Sequence, residues 1–196
     1  MIDIKIFSDF ACPFCYIGFS IANRLKEENS NINIQWIPYE LDPNLSTRGS
    51  DLSQYIPKEQ IDMSYRRIQR LGKEYGLIYN NKTKKFNTNG LHKAALFARD
   101  EGKYYEFASE AFKTIFEYGK NVGELAIINE IGSNVGLNIV EMNRSIDNGI
   151  FDREMEKAKD LSIEYKIESV PTFIVNEDRH VTTLKNYERF KRDLIG

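Results

Sequence analysis

The first forty residues alternate between patterns typical of a strand, a helix and a second strand. Isoleucine occupies every second position over residues 2–6, which predicts a strand with one buried face. Apolar residues then recur every four positions over 17–25, as on one face of a helix. Alternation returns over 32–36 and ends at Pro38. A strand–helix–strand unit of this length predicts two parallel strands joined by a right-handed crossover.

From about residue 43 to residue 150 the strand pattern disappears and helical spacing replaces it. A series of apolar stripes predicts successive helices, and each stripe stops before a glycine that suits a helix C-terminus. These glycines are Gly76, Gly102, Gly119, Gly136 and Gly149. The region is predicted to be a helical layer inserted into the α/β unit.

The remainder of the chain returns to a mixed pattern. We expect a helix over 151–165, a strand that Pro171 opens and that runs to residue 175, a turn over 176–179, a hairpin partner over 180–184 and a closing helix over 187–194. The chain therefore begins and ends with α/β elements and has helices in between.

Composition and charge narrow the class of protein. The chain has 196 residues, and its 27 Lys and Arg against 29 Asp and Glu give a net charge of −2. This balance argues against a nucleic-acid or anionic-membrane partner, and the basic run at 82–85 is predicted to be a solvated loop. No run approaches the roughly 18 apolar residues of a membrane span. Because the chain enters the first strand directly, we expect no signal peptide and a cytoplasmic location.

Cys12 and Cys15 are the only cysteines, and they lie where the first strand turns into the first helix. Unpaired N–H groups and the helix dipole stabilise a thiolate at such a position. Pro13 suits the first turn of a helix, since its missing N–H would have had no partner. We therefore predict that Cys12 is the reactive thiol and that Cys15, one turn later, resolves a mixed disulfide.

A metal site and an inert structural pair are the competing interpretations of the two cysteines. Zinc needs about four ligands, and there is no second cysteine pair to complete the set. His92 and His180 do not recur at ligand spacing. A strand, a CxxC pair and a helix near an N-terminus are typical of redox proteins. We expect a redox-active dithiol with no metal or organic cofactor, because electrons pass between thiols.

The segment 9–18 resembles the opening of DsbA-like thioredoxin-fold proteins, in the FrnE branch. That branch has Asp-x-x-Cys-Pro-Trp-Cys followed by Tyr-x-Gly, and this chain matches it except that Phe14 stands in place of Trp. The segment 36–43 is also similar to the second-strand region of the family.

The resemblance implies an α/β thioredoxin fold with a large all-helical insertion. The thioredoxin-like domain would comprise residues 1–42 and 150–196, and the insertion residues 43–149. It also implies a thiol-disulfide oxidoreductase. The partner would be a disulfide- or thiol-containing protein or a low-molecular-weight thiol.

A Val-Pro-x-Phe sequence near the C-terminus resembles the cis-proline loop of the family. The resemblance implies that Pro171 is cis and packs beside the dithiol, with Val170 and Thr172 in the substrate-binding loop. The backbone carbonyl and N–H of Val170 would be left free to pair with a substrate strand. Ser169 replaces a usual Gly, and 182–185 replaces a usual Ser-Gly-Ala-Gln, so substrate preference does not carry over.

A fourth match lies inside the helical region, at 86–93. It is similar to the Asn-Thr-x-x-Ala-His-Arg motif of the family, with Leu and Lys in place of the Ala and Arg. The resemblance implies that Asn87, Thr88 and His92 lie near the dithiol. The alternatives are that Thr88 or Asn89 caps the helix and that His92 is structural.

Three further residues are candidates for tuning the dithiol. Pro13 and Phe14 lie between the cysteines, and Phe14 neither donates a hydrogen bond nor carries charge. Asp9 could move the proton of Cys15, but an Asx turn or cap at the helix start is favoured.

Two other functions remain as alternatives. Kappa-class glutathione transferases and 2-hydroxychromene-2-carboxylate isomerases share the fold of this branch. They have Ser at the position of Cys12 and lack Cys15, so the sequence argues against them. A holdase that binds unfolded chains in an apolar groove is the non-enzymatic alternative.

Overall fold

The computed structural model begins with the strand, helix and strand that the pattern predicts. These elements are β1 (Ile2–Ser8), α1 (Pro13–Glu28) and β2 (Ile32–Pro38). The two strands pair in parallel, which confirms the predicted parallel pairing. The structure describes residues 1–81, 83–182, 184 and 186–196.

The middle of the chain is a helical layer with one short strand pair. Its elements are β3 (Ser50–Asp51), α2 (Lys58–Gly72), β4 (Lys84–Lys85), α3 (Asn89–Asp100), α4 (Tyr104–Phe116), α5 (Leu125–Asn134) and α6 (Ile139–Asp147). The predicted stop glycines all have positive φ angles, between 65° and 73°. The helical prediction is therefore confirmed. The helices α3 to α6 each end two or three positions before their glycine, whereas α2 ends at Gly72 and a 3-10 turn over Lys73–Tyr75 leads to Gly76.

The β3–β4 pair is a difference from the sequence prediction. Ser50 pairs with Lys85 and Asp51 with Lys84, antiparallel. Strands of two residues have no alternation to detect, so the pattern missed them. The run at 82–85 is accordingly not all loop, and its first residue, Lys82, lies outside the described residues.

The C-terminal part completes the sheet and covers it. It contains α7 (Asp152–Glu164), β5 (Thr172–Val175), β6 (Arg179–Val181) and α8 (Tyr187–Ile195). The strand order is β2-β1-β5-β6, and β5 is antiparallel to both of its neighbours. The hairpin partner is shorter than the predicted 180–184, and Thr183 and Lys185 fall outside the described residues.

Both faces of the sheet are covered by helices. One face, with α1, belongs to a core that continues into the helical layer, where Tyr16 stacks on Phe112 at 5.1 Å between ring centroids. A smaller cluster that includes Phe7 and Ala158 lies under α7. This arrangement places the C-terminal end of β1, the start of α1 and the start of β5 at one edge of the sheet. None of the described helices is long and apolar enough to cross a membrane.

Candidate active site

The dithiol lies where β1 ends and α1 begins. Cys12 is the N-cap residue of α1, and the helix starts at Pro13. Cys12 and Cys15 lie 3.6 Å apart and are free thiols, not a disulfide. The side chain of Cys12 makes no capping bond to the helix. Its thiol instead donates a hydrogen bond of 3.4 Å to the backbone carbonyl of Val170.

The two thiols differ in burial and in acidity. Cys12 is 5 % exposed and Cys15 is fully buried. Burial, together with the hydrogen bond and charge of Cys12, raises the pKa of the Cys15 thiol well above its ordinary value. The Ser8 side chain acts in the opposite direction through a hydrogen bond to Cys15. Cys15 is therefore held as a neutral thiol beside the more accessible Cys12.

The loop that precedes β5 forms the other side of the dithiol. The Val170–Pro171 peptide bond is cis. In the free-thiol state the Val170 carbonyl accepts a hydrogen bond from the Cys12 thiol, so it is not left free as predicted. No described residue accepts a hydrogen bond from the Val170 N–H. The hydroxyl of the buried Thr172 donates to the carbonyl of Ser169 at 2.6 Å.

Gly18 explains how the loop comes so close to α1. A Cβ atom at Gly18 would lie 3.0 Å from Cγ and 3.2 Å from Cβ of Pro171. Contacts this short are tighter than side chains tolerate without displacement. The Tyr-x-Gly of the resemblance therefore has a physical role, which is to let the loop approach the dithiol helix.

Asp9 is a buried carboxylate that holds the turn before Cys12. Its Oδ1 accepts hydrogen bonds from the Ala11 N–H at 3.0 Å and the Thr88 hydroxyl at 2.8 Å, and lies 3.3 Å from Nε2 of His92. Its Oδ2 accepts from the Leu41 N–H at 2.7 Å. The bond from Ala11 is the favoured Asx turn. Burial alone would raise the pKa of Asp9, but the hydrogen bonds, led by that of His92, hold it below its ordinary value.

The motif at the start of α3 reaches Asp9, not the sulfur atoms. Thr88 and His92 are both buried against Asp9. Thr88 occupies the N-cap position of α3, but its side chain makes no capping bond, and the N–H of Asn89 donates instead to Oδ1 of Asn87 at 3.1 Å. Asn87 points elsewhere, because its Nδ2 donates to the carbonyl of Leu45 at 2.6 Å.

The sequence interpretation missed the residues that α2 and the following loop bring to the dithiol. Tyr65 is buried, and burial and the charge of Cys12 raise its pKa to about 12. The hydroxyl of Tyr79 donates to the carbonyl of Pro13 at 3.0 Å. The guanidinium of Arg67 lies 5.7 Å from the centroid of the Phe14 ring. From the sequence, helical spacing only indicated that this region contributes to the core. Its contacts with the dithiol are long-range, and such contacts leave no signal in the local sequence pattern.

A metal-binding cluster is not found among the residues that the structure describes: no group of three or more His, Cys, Asp and Glu side chains could hold an ion. The chemistry that the geometry offers is that of a thiol pair at a helix N-terminus.

This fold and site define a class. The sequence matches the DSBA-like thioredoxin domain over residues 3–194, and the chain belongs to this family. The predicted thioredoxin fold with a large helical insertion is thereby confirmed. The chain is 26 % identical over 179 residues to the uncharacterised protein YwbO of Bacillus subtilis, covering 90 % of this chain and 88 % of that protein.

Solved structures share the fold at low sequence identity. A probable DsbA oxidoreductase, SCO1869 of Streptomyces coelicolor, superimposes with a TM-score of 0.88 at 18 % identity, covering 99 % of this chain and 88 % of that one. The cytosolic disulfide reductase DsbM of Pseudomonas aeruginosa, also solved with GSH, gives 0.72 at 12 % identity, covering 97 % and 96 %. A 2-hydroxychromene-2-carboxylate isomerase gives 0.73 at 14 % identity, covering 96 % and 90 %. The FrnE branch stays a prediction.

Proposed function

We propose that this protein is a thiol-disulfide oxidoreductase that uses the Cys12–Cys15 pair. The observation that carries the proposal is the arrangement of the two thiols. Cys12 lies at a helix N-terminus and is the more accessible, and Cys15 lies buried at 3.6 Å. An attacking thiol needs a stabilised thiolate and access, and a resolving thiol needs proximity to it.

The proposed reaction runs in two exchanges. The Cys12 thiolate attacks a substrate disulfide, a Cys12–substrate disulfide forms, and the first substrate thiolate leaves and takes a proton from solvent. Cys15 then loses its proton and attacks the Sγ of Cys12, which releases the second substrate thiol and leaves a Cys12–Cys15 disulfide. Two electrons pass from the dithiol to the substrate, and the reverse sequence oxidises a substrate dithiol.

Surrounding residues have positioning roles in this proposal. The N–H of Val170 can donate a hydrogen bond to an extended substrate beside Pro171. Its carbonyl can accept one from the substrate once Cys12 is a thiolate and no longer donates to it. Asp9 fixes the turn that carries Cys12, and Thr88 and His92 hold Asp9 in place.

The partner is a disulfide- or thiol-containing protein or a small thiol. The DsbM structure with GSH supports the small-thiol part of this proposal. That neighbour is described as cytosolic, which agrees with the predicted cytoplasmic location of this protein. No cofactor beyond the dithiol enters the proposed reaction.

An isomerase is the second candidate, because a 2-hydroxychromene-2-carboxylate isomerase shares the fold. The paired thiols favour disulfide exchange over it. A holdase is the third, and it would need neither thiol.

Insulin reduction by three forms of the protein tests the proposal. Pre-reduced wild type should reduce insulin, and Cys12→Ser should not. Cys15→Ser should stop at a mixed disulfide with one substrate chain, detected by intact mass. If Cys12→Ser reduces insulin at the wild-type rate, the proposal is wrong. The holdase would be favoured by two results together. Wild type would fail to reduce insulin, and Cys12→Ser would suppress the aggregation of unfolded chains as well as wild type does.

A further inference from the structure

An arginine lies beside the dithiol without a role in the mechanism above. Arg67 is on the exposed side of α2, and its guanidinium lies over the ring of Phe14, the residue that precedes Cys15. Phe14 is only partly buried and packs on the core. The ring therefore holds a positive charge at the surface next to the CxxC segment. Such a cation–π contact biases the position of the side chain at an exposed site.

The charge of Arg67 is not neutralised by a carboxylate. Some of the described arginines pair with carboxylates, as Arg24 does with Glu28 and Arg99 with Glu154, and others do not. Within the part of the chain that the structure describes, Arg67 has no such ion pair. Its charge is thus available to a molecule that approaches Cys12.

The helix that carries Arg67 adds to this charge. From Lys58 to Gly72, α2 has four basic side chains against two acidic ones, in a protein whose net charge is −2. Met63 lies one turn before Arg67 on the same face and is 61 % exposed. The exposed face of α2 around Arg67 therefore combines a cation with an apolar side chain.

We propose that Arg67 is a specificity-determining residue that favours anionic, carboxylate-bearing low-molecular-weight disulfides as substrates of Cys12. This inference rests on the proposed disulfide exchange and names its substrate class. Glutathione disulfide is a representative, since each half carries two carboxylates several bonds from its sulfur. An Arg guanidinium binds such carboxylates through two parallel hydrogen bonds.

The reaction that Arg67 assists is balanced by the dithiol itself. The Cys12 thiolate attacks one sulfur of the disulfide RSSR, forms Cys12–SR and expels RS⁻, which is protonated by water. Cys15 loses a proton and attacks Cys12, and the second RS⁻ leaves and is protonated. The two electrons that reduce RSSR to two RSH come from the Cys12–Cys15 pair, so a pre-reduced sample needs no further reductant.

Single-turnover rates with three disulfides test the inference. Pre-reduced wild type, Arg67→Gln and Arg66→Gln are each mixed with glutathione disulfide, neutral bis(2-hydroxyethyl) disulfide or cationic cystamine, and oxidation is followed by intact mass. Arg66 is the matched control, because it is exposed on the same helix and its loss removes the same charge. A charge pair near a surface is worth about 1 kcal/mol. Arg67→Gln should therefore lower the single-turnover rate with glutathione disulfide by roughly three- to ten-fold.

The pattern across substrates separates this inference from the proposed function. Arg67→Gln should change the rate with the neutral disulfide by less than about two-fold. It should raise the rate with cationic cystamine, because the substitution removes the repulsion from a screened surface charge. Arg67→Lys should restore part of the rate with glutathione disulfide. Equal losses with the anionic and neutral disulfides, or equal effects of Arg66→Gln and Arg67→Gln, would overturn the inference while leaving the exchange reaction intact. If wild type reacts with none of the three, the proposed function itself fails.

Discussion

The hydroxyl of Thr88 donates a hydrogen bond of 2.8 Å to Oδ1 of Asp9, across 79 positions of the chain. Asp9 belongs to the turn before Cys12, and Thr88 lies at the start of α3 in the helical layer. Both side chains are buried. The bond therefore joins the helical layer to the segment that carries the dithiol, and its acceptor is charged, which makes it stronger than a neutral hydrogen bond.

Thr88→Val should lower the free energy of unfolding by about 1.5–3 kcal/mol, because the variant keeps the shape and loses a hydrogen bond to a charged group. Thr172→Val is the matched control, since the hydroxyl of Thr172 donates to a neutral carbonyl. It should cost about 0.5–1.5 kcal/mol. Urea unfolding curves measure both, and a larger loss in the control would contradict a charge-assisted bond.

The pH dependence of stability should reveal the ionised state of Asp9. Its pKa is lower in the folded protein than in the unfolded chain, so its contribution is fully present above the unfolded value of about 3.9 and is lost as pH falls through the folded value. Asp9→Asn should therefore destabilise the protein at pH 7, and the gap to wild type should narrow below about pH 4. Repeating the series in a His92→Gln background removes the titratable partner. If wild type and Asp9→Asn differ in free energy of unfolding by the same amount at pH 7 and below about pH 4, the carboxylate is not ionised in the folded protein.

Alkylation should distinguish the two thiols. At neutral pH, limited iodoacetamide treatment of reduced protein should label Cys12 first, since Cys15 is fully buried and burial raises its pKa. Labelling of Cys15 should require denaturant. Peptide mass mapping gives the order, and preferential labelling of Cys15 in the folded protein would reverse the roles assigned to the two cysteines.

Much of the fold could be predicted because its signals are local. The alternation in β1 and β2 and the stop glycines such as Gly76 act within a few residues, and the structure has them where the pattern indicates. The β3–β4 pair could not be predicted in this way. It is held by partners more than thirty positions apart, Ser50 with Lys85 and Asp51 with Lys84, and has no period of its own.

The site was predictable only in part, for the same reason. Cys12 and Cys15 are neighbours in sequence, so their geometry follows from the helix that begins between them. The contact of Arg67 with Phe14 depends on how α2 packs against α1, which hydrophobic spacing does not specify. Thr88 was placed by resemblance, and its actual partner, Asp9, emerged only from the fold.

Gly18→Ala should disturb the loop beside the dithiol. Alanine inside a helix is ordinarily favoured over glycine by about 1 kcal/mol. Here the added Cβ would press on the rigid ring of Pro171 at 3.0 Å, and overpacking costs about 1–3 kcal/mol. We expect a net loss of up to about 2 kcal/mol in unfolding free energy and slower attack by Cys12, because Val170 moves with the ring.

Gly90→Ala provides the control for Gly18→Ala. Its added Cβ would lie 3.1 Å from Cδ1 of Ile128, the free end of a flexible side chain. That methyl group can move aside, so the variant should be neutral or more stable than wild type. Thermal unfolding and single-turnover rates compare the pair, and a Gly18→Ala variant as active and stable as Gly90→Ala would refute a role for the close approach to Pro171.

Phe14→His should make the Cys12–Cys15 disulfide more oxidising. A protonated His between the cysteines places a cation beside the Cys12 thiolate, which stabilises the reduced form and raises the reduction potential. Arg67 lies over this side chain and opposes a second positive charge, so the shift is modest, roughly 30 mV or a tenfold change in equilibrium constant at pH 6. It should shrink at pH 8, because an ordinary His loses its proton near pH 6.5. Phe14→Leu is the control, since it also removes the ring under Arg67 but adds no charge. Glutathione redox titrations at both pH values measure the three potentials. If the His variant is no more oxidising than the Leu variant at pH 6, the residue between the cysteines does not control this site through its charge.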